Sequence, residues 1–309
     1  MKVGSLFSGY GGLDLAVGGD LAWYSEIEPA ACKVMEAHYP GVPNIGDVTK
    51  VDWAEVEPVD VITGGYPCQP FSNAGMRKGK DDERHLWPYV RDALGAIRPR
   101  AAVLENVRGH LTLGFADVLA DLADLGWSAR WGVVRAADAG APHSRARLFI
   151  AANSQVGAWW PRSHQQETLR QQRLNQPCRS LAANPSGERH GGGERPASLG
   201  RVGSPPEGSR RQASTARQEP GTGSVARWGQ YAPAIDRWQS VIGRAAPSPT
   251  VQRAERDRLN PAFVEWMMGL PEGWVTGHGL STSQELKMLG NGVVPQQAAL
   301  ALHLLGGVA

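Results

Sequence analysis

The sequence predicts a doubly wound α/β fold: a mostly parallel sheet covered by helices, with a small domain inserted late in the chain. Three observations predict it. Short β-like apolar runs alternate with helical patterns through the first 150 residues. Several of those runs end in glycine- or proline-rich turns, where open α/β sheets hold their ligands. The texture changes near Asn153 and becomes ordered again near Leu259. With 309 residues, 41% of them hydrophobic, the chain can bury a large core and suits about two domains.

Residues 3–7 form an apolar run that enters Ser8-Gly9-Tyr10-Gly11-Gly12. A helix follows, with Leu13, Ala16 and Val17 on one face. Residues 21–27 predict a second strand and residues 29–38 its helix. Residues 59–63 are a β-branched run closed by Gly64-Gly65, and residues 101–104 and 147–151 are further buried-strand patterns. Between the last two, Val118, Leu119, Leu122 and Leu125 recur at helical spacing over 115–125. The final 50 or so residues are helical in pattern.

The formal charge of +2 conceals an uneven distribution. Residues 154–258 hold 16 Arg, no Lys and 8 acidic side chains, a balance of +8. The rest of the chain therefore carries −6, and a basic insert in an acidic body suggests a polyanionic partner. Residues 163–223 are rich in Gln, Arg, Ser, Gly and Pro and have few large aliphatics, a composition expected to be partly disordered alone. Trp159, Trp160, Trp228, Tyr231, Ile235 and Trp238 flank that tract and are expected to anchor a small fold.

Cys32, Cys68 and Cys178 are too few and too scattered for a disulfide framework, and they lack the spacing of a zinc site. No signal peptide is recognised at Met1. The longest apolar stretch, 293–305, is interrupted by Pro295, Gln296, Gln297 and His303. The expectation is a soluble, cytoplasmic protein without metal or membrane.

Four segments carry side chains suited to chemistry, and each sits just after a strand or in one. The first is the glycine turn 7–12, where glycine permits close approach of the backbone to a ligand. It departs from the dinucleotide fingerprint because Asp14 stands where the third glycine belongs. Glu26, ending the second strand, is placed to hold a ribose diol. The second segment is Gly64-Gly65-Tyr66-Pro67-Cys68-Gln69-Pro70, in which two prolines restrain a thiol that is either a nucleophile or a structural cysteine. The third is Glu105-Asn106-Val107, whose strand-end carboxyl is either a proton donor of raised pKa or a simple cap. In the fourth, Arg145 and Arg147 alternate, so an extended backbone aims both guanidinium groups at one place.

In this order the segments resemble the DNA cytosine-5 methyltransferases of bacteria and phage. The resemblance rests on FSGYGGLDLA (7–16), GDVTKV (46–51), GGYPCQPFSNAG (64–75), ENV (105–107), PHSRARLF (142–149), LNPAFVEWMMGLPEGW (259–274) and LGNGVVPQQA (289–298). It implies a Rossmann-like methyltransferase fold assembled from 1–152 and 259–309, with a target-recognition domain at 153–258. It implies S-adenosylmethionine as cofactor, S-adenosylhomocysteine as product, and a pocket formed by Phe7, Ser8, Gly9, Gly11, Gly12, Leu13, Glu26, Ile27, Asp47, Val48, Pro67, Leu86 and Asn291. Cys68 is then the nucleophile on cytosine C6, and Glu105 the proton donor at N3. Arg145 is expected first at the O2 edge of the base, with Arg147 orienting the base or contacting phosphate. The flexible, basic stretch 72–88 would close over the DNA. Where the family usually has Gln in its fifth block, this chain has His143.

The partner implied is duplex DNA, acted on by a monomer, with a cognate restriction endonuclease as a further partner. Alternatives within reach of the same residues are a tRNA cytosine-5 methyltransferase and a catalytically idle DNA-binding relative. An oxidoreductase is disfavoured by Asp14.

Overall fold

The computed structural model describes residues 1–67, 86–154, 227–253 and 256–306. Cys68, the basic stretch 72–85 and the low-complexity part of the insert lie outside these residues. The elements are β1 (Lys2–Leu6), α1 (Gly12–Val17), β2 (Asp20–Ser25), α2 (Pro29–His38), β3 (Val61–Gly64), α3 (Trp87–Ile97), β4 (Ala101–Val107), α4 (Phe115–Asp124), β5 (Ser128–Arg135) and β6 (Ala146–Asn153). After the insert come α5 (Ala232–Ile242), β7 (Thr250–Arg253), β8 (Arg256–Leu259), α6 (Pro261–Met267), α7 (Thr282–Asn291) and α8 (Pro295–Leu305).

Six strands form one sheet in the order β2-β1-β3-β4-β6-β5. The pairs β1–β2, β1–β3 and β3–β4 are parallel, whereas β6 runs antiparallel to both β4 and β5. The mostly parallel expectation therefore holds, and the reversal is local to β6. Only the turn 136–145 separates β5 from β6, too short for the crossover a parallel neighbour needs.

Alternation along each strand divides the core between two faces. Leu6, Ile62, Leu104, Leu148 and Ile150 pack with Val90 and Leu94 of α3 and Val118 and Leu122 of α4. Val61, Val103 and Phe149 pack on the other face with Leu13, Ala16 and Val17 of α1 and Ala298, Ala299 and Leu302 of α8. The C-terminal helix thus completes the lobe that the first strands begin. That return is what brings Asn291 back to the glycine turn.

The end of the insert joins the same body. Trp238 of α5 is fully buried and donates through Nε1 to the Trp266 carbonyl at 2.9 Å. Trp228 stacks on Phe263 with ring centroids 5.7 Å apart. Trp228, Ile235 and Trp238 therefore do anchor packing, but against α6 and the segment around Met268 and Leu270. The β7–β8 hairpin beyond them exposes Arg256 and Arg258.

Packing is tightest where α7 hands over to α8. A Cβ on Gly292 would lie 1.9 Å from the Tyr10 ring, which itself is 1% exposed and donates to the Val293 carbonyl at 2.8 Å. Neither ring nor backbone can yield that much space. Gly292→Ala is expected to cost about 2–4 kcal/mol, the range of an overpacked or rearranged core site. Chemical denaturation measures this, and a variant within about 0.5 kcal/mol of wild type would contradict the packing.

Candidate active site

Below the carboxyl ends of β1, β3 and β4 lies one cavity. Phe7, Ser8, Gly9, Gly12, Leu13, Glu26 and Asn291 line it, and its wall continues through Gly64 and Gly65 to Glu105. Seven of the thirteen expected cofactor residues and the expected acid therefore share a single space. Gly11, Ile27, Asp47, Val48, Pro67 and Leu86 do not line that cavity. Ile27 stands at its edge, 69% exposed, while Val48 is buried in the core with Leu6 and Trp23.

The turn at 7–12 is built from backbone that most side chains avoid. Gly9 and Gly11 have φ of +56° and +77°, and Phe7 adopts +53° despite its side chain. Strain of this kind in a non-glycine residue persists only where its surroundings fix it. Glu26 anchors the turn two residues on, its carboxylate accepting from the Gly9 N–H and from the N–H groups of Ile27 and Glu28, each at 2.8 Å. Asn44 ties the neighbouring loop to the same place, since its Oδ1 accepts from the Glu26 N–H at 3.1 Å. Asp47 is taken up within that loop. It caps Thr49, and those hydrogen bonds hold its carboxyl below the ordinary range.

Asp14, which breaks the dinucleotide pattern, lies beneath the turn. It accepts from the Ser5 hydroxyl at 2.8 Å and from the Thr63 hydroxyl, binding α1 to β1 and β3. Burial raises its pKa, and the two hydroxyls offset only part of that.

Glu105 is 8% exposed at the inner end of β4. Burial pushes its carboxyl up to about 7, against the opposing pull of Arg147 and Arg145. Its Oε1 accepts from Arg147 Nε at 2.8 Å. A Cβ on Gly65 would sit 3.5 Å from Oε2, so the missing side chain leaves open space against that oxygen. One carboxyl oxygen is thus held, and the other faces the cavity.

The two arginines do not converge as an extended backbone would make them. Arg145 has a φ of +35° and β6 begins only at Ala146, so the alternation fails at that residue. Arg147 pairs with Glu105, whereas Arg145 donates to the carbonyls of Gly290 at 2.9 Å and Gly292 at 2.5 Å. The expectation puts Arg145 first at the base, whereas the geometry sets Arg147 as the guanidinium beside the acid. His143, where the family has Gln, bonds through Nε2 to the Met267 carbonyl at 3.0 Å, and burial lowers its pKa. A neutral ring donating to α6 is a structural tie between β6 and the segment after the insert.

Two further residues escaped the sequence reading. Tyr66 is held at both ends, its carbonyl by Asn106 Nδ2 at 3.1 Å and its hydroxyl by His110 Nε2 at 2.9 Å. His110, 2% exposed, also bonds through Nδ1 to the Leu113 carbonyl. The strand that carries Glu105 and the turn after it therefore grip the residue from which Pro67-Cys68 continues. A histidine in a short turn gives no sequence signal for this.

Among the described residues, no group of three or more His, Cys, Asp or Glu side chains could hold a metal ion. Among the same residues, no helix is long and apolar enough to cross a membrane.

Comparison with known proteins agrees with the geometry. The chain is 36% identical over 141 residues to the type II methyltransferase M.NlaIV of Neisseria lactamica, covering 42% of this chain and 33% of that protein. It is 32% identical over 174 residues to M.NgoBV of Neisseria gonorrhoeae, covering 50% and 41% respectively. The matches thus span a third to a half of the length of the first such relatives. In fold it is similar to the Dnmt2 methyltransferase of S. pombe, with a TM-score of 0.60 at 16% identity over 98% of this chain and 97% of that one. A putative DNA modification methyltransferase from an E. coli prophage gives 0.55 at 19% identity, over 98% and 97%. The model of the C-5 cytosine-specific DNA methylases matches residues 1–302, and the chain belongs to that family.

Proposed function

We propose that this protein transfers the methyl group of S-adenosylmethionine to C5 of cytosine in a specific sequence of duplex DNA. The observation that carries the proposal is the single cavity joining the 7–12 turn, Glu26 and Asn291 to Glu105. The residues present fit the cofactor. Glu26 and Glu28 line the cavity with carboxylate suited to a diol and a sulfonium cation, and Gly9 leaves the turn open to a ligand. When bound there, S-adenosylmethionine supplies an electrophilic methyl group.

The protein's own residues must then make cytosine C5 nucleophilic. We assign to the Cys68 thiolate the attack at C6, forming a C–S bond and moving the electron pair of the C5–C6 double bond toward C5. Glu105 donates its Oε2 proton to N3, so no anion accumulates on the ring. Arg147 fixes Oε1 and holds the O2 edge of the base, replacing Arg145 in that role. After C5 is methylated, water takes the C5 proton as the thiolate leaves, and N3 returns its proton to the Glu105 carboxylate, which restores both ring and acid. The base must leave the helix first, because C6 is shielded in the stack. The +8 charge of 154–258 suits a DNA backbone, and the arginines of that segment are assigned to phosphates and guanine edges. The enzyme is expected to act as a monomer in a bacterial cytoplasm, alone or beside a cognate endonuclease.

Base-resolution methylation mapping of DNA from cells expressing the gene tests the reading. The expected result is 5-methylcytosine at one short sequence motif, absent from cells expressing the Cys68→Ala form. Methylation confined to tRNA would overturn the substrate, and none in either nucleic acid would overturn the activity.

A further inference from the structure

Asn291, expected at the cofactor, is the last residue of α7, and the carbonyls on either side of it are both occupied by one guanidinium. Arg145 Nη1 donates to Gly290 and Nη2 to Gly292, so the side chain spans Asn291 from either side. Its Nε is sealed from solvent and has no hydrogen-bond partner among the described residues. The backbone of Arg145 is held just as firmly. Gln297, fully buried at the start of α8, donates through Nε2 to the carbonyls of Arg145 and Val134, both at 2.7 Å. Those two bonds support an arginine at a φ of +35°, a conformation it would otherwise leave. The chain just after α7 is pinned from the opposite side by Tyr10, whose hydroxyl donates to Val293.

We infer that Arg145 is a positioning residue: with Gln297 it clamps the C-terminal end of α7, residues 290–292, to the start of β6 and thereby presets Asn291 for the cofactor. The next arginine along β6, Arg147, holds the acid at the base. The clamp therefore makes one rigid unit of the cofactor side and the base side of the cavity, held by two charge-assisted bonds, the stronger class of hydrogen bond. The inference rests on the proposed function only where it names the cofactor.

Two measurements on Arg145→Met, Gln297→Leu and Arg147→Met test it. In hydrogen exchange, peptides covering 288–294 should exchange at least tenfold faster in the first two variants than in wild type, and at the wild-type rate in Arg147→Met. In titration with S-adenosylhomocysteine, Arg145→Met and Gln297→Leu should weaken binding at least tenfold, with kcat at saturating cofactor within about threefold of wild type. Arg147→Met should do the reverse. Arg145→Lys, which keeps the charge but reaches only one of the two carbonyls at a time, should recover part of the affinity. Wild-type exchange at 288–294 in Arg145→Met would overturn the clamp, whatever the activity. Unchanged affinity with a collapsed kcat would overturn it in favour of a direct role at the base. If the wild-type protein bound no S-adenosylhomocysteine, the functional reading would fall, and the exchange result would still decide the clamp.

Discussion

Cys68→Ala is expected to abolish methyl transfer, by at least a thousandfold, while leaving cofactor affinity within about threefold of wild type. The asymmetry follows from where the parts lie. The cavity wall from the 7–12 turn to Asn291 needs no thiol, so its binding function survives. Without a thiolate, C5 remains part of an aromatic ring and is too weak a nucleophile to take a methyl group. The described residues that lead to Cys68 are held firmly. Tyr66 is gripped by Asn106 and His110, and Pro67 restricts the backbone of Tyr66 itself. Radiolabel transfer to duplex DNA measures the first effect and calorimetric titration the second. On DNA carrying 5-fluorocytosine, whose C5 fluorine cannot leave as a proton does, wild type should form a covalent complex stable to denaturant, and Cys68→Ala should form none. Turnover by the alanine variant would sink the covalent mechanism.

Much of this site is legible in the sequence because its parts lie at strand ends, where a short apolar run followed by glycine, proline or a carboxylate announces itself. The helix expected over 29–38 is α2, and that over 115–125 is α4 less one residue. Other elements leave no such mark. β5 is an edge strand in which Arg130, Trp131 and Val133 are exposed and Gly132 interrupts the alternation, so its period is lost. α3 opens on Trp87-Pro88, directly after a basic stretch that reads as loop, although proline is well suited to the first turn of a helix. The divergence of Arg145 from Arg147 turns on one positive φ, sustained by Gln297 from 152 positions away. Side-chain direction at a strand's first residue is fixed by tertiary contacts, and period-two reasoning has no access to them.

Glu105 carries the other large prediction, and it is one of opposite signs. Burial raises its pKa from an ordinary 4.5 to about 7, so the folded protein holds this proton more tightly than the unfolded chain does. Its contribution to stability is therefore most favourable below pH 4.5 and is lost progressively as the pH rises to about 7. The full loss is about 3 kcal/mol. Glu105→Gln carries no charge to bury, so its stability relative to wild type should climb between pH 5 and pH 7.5. Activity should move the other way. The proton that N3 needs is present only below about pH 7, so the wild-type rate should fall on an alkaline limb near that value. Gln supplies no proton, and the variant should lose about a hundredfold or more in kcat together with that limb. Denaturation series and kcat profiles over the same buffers test both halves at once. If the stability difference were flat with pH while the alkaline limb persisted in Glu105→Gln, the raised carboxyl would not be the acid. The burial of a carboxyl that thereby keeps its proton is then intelligible as the condition for catalysis: a carboxyl comfortable in water would reach the base already ionised.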